Sequence, residues 1–130
     1  MIVKQLVPEL IVEDVERTLR FYKEKLGFDI VAQAPENGKP SWAEMVNGSA
    51  RLMVQGKEET LIEMPLLSSY SIGGTTLLVL RIDGQNVVRN LWSQQTDWGH
   101  VILPLRETEY GTVEFGIADP DGYVLIFSSQ

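Results

Sequence analysis

The chain has 130 residues, enough for one ordinary domain with a real hydrophobic core and too few for two independent ones. Its 44% hydrophobic and 22% charged residues give no reason to expect disorder, and no apolar run approaches the ~20 residues of a membrane span. Eighteen acidic against eleven basic residues, a formal charge of -7, argue against nucleic acid as a partner and favour a cationic ligand, although such a charge also simply keeps a small protein soluble. The absence of cysteine removes disulfides, thiolate metal sites and cysteine nucleophiles, and a single histidine, His100, excludes a two-histidine site or relay within one chain.

The opening "MIVKQLVPELIV" lacks the cleavage pattern of a secretory signal, so a cytoplasmic location is the expectation. Residues 3–12 are largely apolar on both parities, which predicts a first strand covered on both sides, with Pro8 at an edge or bulge. Asp14 suits a helix N-cap. Val15, Leu19, Tyr22 and Leu26 then recur at helical spacing until Gly27. "FDIVAQA", "SWAEMV" and "ARLMVQ" follow as three strands, the last two forming a hairpin at Asn47-Gly48.

From Thr75 the order repeats. "TTLLVLRID" is a strand, "GQNVVRNLWSQQ" a helix, and "HVILPLRE", "TVEFGIA" and "YVLIFSS" are strands. Val12 and Ile82, like Tyr22 and Trp92, are offset by 70 positions, so the chain reads as an internal duplication. One domain over 1–130 is expected, with modules at 1–56 and 75–130 and a linker at 57–74. Each module supplies a four-stranded sheet with a helix on its outer face, and the inner faces are expected to line a cleft.

This order, with "VPELIVEDVERTLRFYKEKLGFDIV" at the start and "YGTVEFGIADPDGYVLIF" at the end, resembles the vicinal oxygen chelate superfamily. That group includes glyoxalase I, extradiol dioxygenases, fosfomycin-resistance enzymes and bleomycin-resistance proteins. The most specific parts are the "FYKEKLGF" helix end and the "DPDGY" turn. The resemblance implies an α+β fold of two tandem βαβββ modules, curved mixed sheets around a cleft, and a homodimer. In the superfamily's enzymes a divalent metal is held from the first and last strand of each module. Those positions fall here on Val7, Met53, Leu77 and Ile126, within one residue. Hydrocarbon side chains replace none of a cation's lost hydration, so neither a metal nor another cofactor is expected.

The leading expectation is therefore a metal-independent small-molecule binding protein of the bleomycin-resistance kind, holding an aromatic or cationic ligand in an apolar cleft. An antibiotic is a suggestion of the resemblance alone. The alternatives are a divalent-metal-dependent lyase, isomerase or dioxygenase whose ligands have moved to Glu9, Glu44, His100 or Glu114, and a dimeric scaffold with a vestigial pocket. No membrane partner is expected.

No catalytic residue is assigned. Candidate ligand contacts are Glu9, Trp42, Arg51, Met53, Gln55, Arg81, Tyr110, Glu114 and Ile126. Glu9 shares the parity of Val7 and points into the expected cleft; Arg81, taken at the corresponding depth of the second copy, is either a ligand contact or its salt-bridge partner. Trp42 stands near the expected cleft mouth, and stacking on a flat ligand competes with ordinary packing. Arg51 and Gln55 share the parity of Met53. Tyr110 and Glu114 lie in "YGTVEF", with Tyr110 the preferred contact against a packing role at strand entry. Trp92 belongs to the helix stripe, Trp98 to a loop, and His100 to a strand start away from the metal positions. Met64–Leu67, "MPLL", is an apolar run suited to a dimer interface.

Overall fold

The computed structural model describes residues 1–94 and 100–130; Trp98 lies outside the described residues. The chain divides into two compact units, 1–71 and 72–130. Both are mixed four-stranded sheets with a helix against one face, the α+β arrangement of two βαβββ modules.

In the first unit β1 (Glu9–Val12) leads into α1 (Val15–Leu26). Asp14 caps this helix by accepting a hydrogen bond on Oδ1 from the Arg17 N–H at 3.1 Å. Its stripe Val15, Leu19 and Tyr22 is buried, with the ring of Tyr22 edge-on to Phe21 and Phe28. Gly27 ends the helix at φ 69°, a left-handed conformation open to a residue without a Cβ, and its N–H reaches the Lys23 carbonyl.

β2 (Asp29–Ala34), β3 (Trp42–Asn47) and β4 (Ala50–Gly56) complete a sheet of order β1-β4-β3-β2, in which only β1 and β4 are parallel. The hairpin between β3 and β4 is tighter than its sequence suggests: Asn47 pairs with Ala50, leaving Gly48-Ser49 as the connection. The Asn47 side-chain amide is thereby free to donate to the Leu26 carbonyl at 2.9 Å, tying the hairpin to the end of α1.

One expectation needs correction. The first strand does not run from residue 3 to 12. It begins at Glu9, and residues 1–8 are outside the ladder, with Leu6 85% exposed. β1 is an edge strand, so an apolar alternation alone gives residues 3–7 no partner. Pro8 has no N–H to donate, and only its carbonyl joins the sheet, accepting from the Met53 N–H at 2.9 Å. The segment 57–74, expected to link the modules, carries structure of its own. Lys57–Glu63 form α2, and Pro65–Ser69 a 3-10 turn. The polar "KEET" that suggested a linker places Glu58 and Glu59 at a helix N-terminus, where negative charge is favourable, and Thr60 is buried with its hydroxyl on the Gly56 carbonyl.

The second unit repeats the plan with β5 (Leu77–Arg81), α3 (Gln85–Gln94), β6 (His100–Glu107), β7 (Val113–Ala118) and β8 (Val124–Ser129), in the order β5-β8-β7-β6. Val88 of α3 is buried, and the Trp92 ring lies 5.5 Å from that of Phe115. Phe115 in turn stacks on Phe127 at 4.7 Å and 11°. Trp92, half-buried, packs its ring against this core, on the stripe that the helix spacing predicts. The "DPDG" turn is organised by Asp119, whose Oδ1 accepts from the N–H groups of Asp121 and Tyr123 at 2.9 and 3.0 Å. Among the described residues no helix is long and apolar enough to cross a membrane.

Candidate functional site

In each sheet the alternation of side chains separates a face covered by the helix from an open one. In the first module Leu10, Val12, Ala43, Met45, Leu52 and Val54 are buried on the helix side. Their neighbours in sequence point the other way. The register arranges these into rows across the sheet: Glu9, Met53, Glu44 and Ala32 form one, and Ile11, Gln55, Trp42 and Ala34 the next. Arg51 and Val46 form a third.

Five of the predicted contacts, Glu9, Trp42, Arg51, Met53 and Gln55, therefore share one open face. Their charges are not equivalent. Arg51 Nη1 lies 2.6 Å from Glu44 Oε1, so the most central carboxylate already has a cation. Gln55 Nε2 donates to Glu63 Oε1 of α2 at 3.4 Å, which brings a further carboxylate to the end of the Trp42 row. Glu9, on the edge strand, makes no ion pair within its module among the described residues. On this face of the first module, among the described residues, the carboxylates of Glu9, Glu44 and Glu63 outnumber the guanidinium of Arg51.

The second module's open face is built differently. Its rows are Leu77, Val124, Ala118 and His100; then Val79, Ile126, Gly116 and Leu103; then Arg81, Ser128, Glu114 and Arg106. Ile126 occupies the space that a side chain at position 116 would need: a Cβ there would lie 2.7 Å from Ile126 Cδ1 and 3.3 Å from Leu103 Cβ. Arg106 donates from both Nε and Nη2 to Glu114 Oε1, at 3.0 and 2.5 Å.

The structure places Arg81, Glu114 and Ile126 on this face, but not all where expected. Arg81 stands in register with Ser128, whereas Glu9 stands with Met53. The counterpart of Arg81 in the first module is Ile11, and that of Glu9 is Val79, so Arg81 is not at the depth of Glu9. Tyr110 is on neither face. It sits in the β6–β7 connection, 79% exposed, where Thr108 and Thr112 close a three-residue loop and Gly111 at φ 81° turns the chain. His100 is the exposed first residue of β6.

Ile11, Glu63, Val79, Leu103, Arg106 and Gly116 were not among the predicted contacts. Parity alone was sufficient to find Ile11, two residues from Glu9. Arg106 was not accessible that way, because two register shifts in β6 break its alternation.

The positions that the resemblance assigns to a metal, within one residue, are Val7, Met53, Leu77 and Ile126, none a hard-cation ligand. Val7 also precedes β1 rather than lying in it. Of the four residues considered for relocated ligands, Glu44 and Glu114 are committed to arginines. Among the described residues no group of three or more histidine, aspartate or glutamate side chains is placed to hold a metal. This donor set does not fit a divalent ion, and no chemical step is derived through one.

The family model described as the Glyoxalase/Bleomycin resistance protein/Dioxygenase superfamily matches residues 3–127. The chain belongs to this superfamily. Solved structures of similar fold include a glyoxalase-related enzyme from Fulvimarina pelagi, with TM-score 0.80, 20% identity and coverage of 98% of this chain and 89% of that one. A glyoxalase/bleomycin resistance protein/dioxygenase family enzyme from Burkholderia phytofirmans PsJN gives 0.78 at 18% identity, covering 95% of each chain. A lactoylglutathione lyase from Agrobacterium tumefaciens gives 0.72 at 15% identity, covering 96% of this chain and 92% of its own. Likeness at these identities concerns the superfamily's fold and leaves the chemistry to the site. No curated protein matches the chain.

Proposed function

We propose that this protein is a metal-independent small-molecule binding protein of the bleomycin-resistance kind, holding a flat aromatic or cationic ligand on the open face of its first module. The observation that carries this is one surface on which Trp42 stands in register with Gln55 and Ile11, beside Met53, while Glu9, Glu44 and Glu63 outnumber Arg51. An indole offers a stacking plane, and an excess of carboxylates attracts a cation to it. Arg51 holds Glu44 in place, so Glu9 is the carboxylate available to a ligand's charge.

The superfamily's enzymes set the competing possibility of a metal-dependent lyase, isomerase or dioxygenase. The hydrocarbon side chains at the metal positions weigh against it. Binding without a cofactor, in a cytoplasmic homodimer, completes the proposal, and sedimentation velocity checks the dimer.

Titration of tryptophan fluorescence with a flat tricyclic ammonium compound, after dialysis against chelator, tests the function directly. A saturable change is expected, weakened by Trp42→Phe and, at low salt, by Glu9→Gln. Absence of any saturable change overturns the binder. Stoichiometric zinc, manganese or iron in the purified protein overturns its metal independence.

A further inference from the structure

We infer that Asn37 is a site of spontaneous deamidation in the folded protein, and that Asn47, in the same Asn-Gly dipeptide, is guarded from that reaction by its tie to α1. Asn37-Gly38 and Asn47-Gly48 are the two Asn-Gly steps of the chain. At such a step the second residue has no Cβ to hinder its backbone nitrogen. That nitrogen attacks the asparagine Cγ, a C–N bond forms to close a five-membered imide, and the side-chain nitrogen leaves as ammonia, taking the proton that the glycine nitrogen loses. Water then opens the imide at either carbonyl, giving aspartate or isoaspartate.

The two glycines are alike; the two asparagines are not. Gly38 and Gly48 both have positive φ, 88° and 56°, and a Cβ on either would meet nothing within 4 Å. Asn37 is exposed in the β2–β3 connection, outside every strand, and among the described residues no hydrogen bond holds its side chain. Its Cγ can swing onto the Gly38 nitrogen. Asn47 ends β3 and pairs with Ala50, so its backbone is extended and its side chain projects away from the Gly48 nitrogen. Its amide nitrogen also donates to the carbonyls of Leu26 and Gly27, at 2.9 and 3.4 Å. Ladder and tie must both open before the imide can close.

The consequences differ as well. At position 37 the new carboxylate stands beside Glu36 in an exposed connection, and no contact is lost. At position 47 an oxygen replaces the N–H donor and faces two carbonyls at the negative end of α1, so the tie cannot form again. The β3–β4 hairpin, which carries Trp42 and Arg51, then loses its anchor to the helix. An opening of the first module that lasts long enough for the reaction is thereby fixed in its covalent structure.

Peptide mapping by mass spectrometry, on the full chain incubated at mildly alkaline pH both folded and in urea, tests this without any ligand. In the folded protein the exchange of amide for acid is expected at Asn37 at least about fivefold faster than at Asn47, the scale of one hydrogen bond that must open first. In urea the two rates should converge. Asn47→Asp, which carries the charge of the product, should lower the urea midpoint of unfolding, and Asn37→Asp should leave it unchanged. The inference is overturned if Asn37 of the folded protein stays unmodified, if Asn47 reacts there as fast as Asn37, if urea leaves the ratio of the two rates as it was, or if Asn47→Asp unfolds at the wild-type midpoint. The rate comparison uses the unsubstituted chain, so it decides the matter even where Asn47→Asp fails to fold.

Discussion

The two modules share an order of elements and a strand topology but use them for different surfaces. On the helix side they are interchangeable in kind: Tyr22 with Phe21 and Phe28 fills one core, and Trp92 with Phe115 and Phe127 the other. On the open side they diverge. Where the first module places Glu44 with its partner Arg51, the second places Gly116 and Val124, and Ile126 lies over the glycine. A duplicated fold must keep the packing that buries each sheet against its helix, whereas the opposite face carries no such requirement and is free to change charge and shape.

The largest expected effect tests the shared side. Phe115→Ala removes a fully buried ring that stacks on Phe127 and should cost about 3–5 kcal/mol, read from urea unfolding. Tyr22→Ala, equally buried, should cost a similar amount; a markedly unequal pair of losses would break the equivalence of the two cores.

The open side is probed by Gly116→Ala, which forces a Cβ to within 2.7 Å of Ile126 Cδ1 and should destabilise by about 1–3 kcal/mol. Ile126→Val deletes that methyl, so the double variant should recover part of the loss, a coupling measurable by a double-mutant cycle. Additive costs would show that Ile126 does not fill the space over the glycine.

Smaller effects lie at the ends of α1. Gly27→Ala places a Cβ at φ 69° with only an ordinary contact to Asn47, so backbone strain alone should cost about 1 kcal/mol, comparable to the loss of the cap in Asp14→Ala. The smallest change is expected for Glu44→Gln. Arg51 is 37% exposed, and the pair should contribute less than about 1 kcal/mol to stability. Its effect belongs to ligand binding, where it removes one carboxylate from the Trp42 surface.

Much of the candidate site was legible because strand alternation is a property of the chain itself. Glu9, Arg51, Met53 and Gln55 share a face as soon as β1 and β4 are recognised, and the 70-residue offset that pairs Val12 with Ile82 also pairs Glu9 with Val79. Placing Arg81 opposite Glu9 ignored that offset by one pleat. The position of Tyr110 was hidden for another reason: "YGT" reads as the approach to a strand, yet Gly111 makes it a turn, and a residue in a turn belongs to no sheet face. Helix α2 was hidden by a polar composition common to linkers and to amphipathic helix ends.

The sequence by itself determined the duplication, helices α1 and α3 with the caps of α1, and the existence of the eight strands β1 to β8, because each is a local or periodic property of consecutive residues. Only the tertiary structure decided where β1 begins, which arginine neutralises which carboxylate, and that Ile126 covers Gly116. These depend on register between strands distant in sequence, and a shift of one residue there moves every side chain to the opposite face.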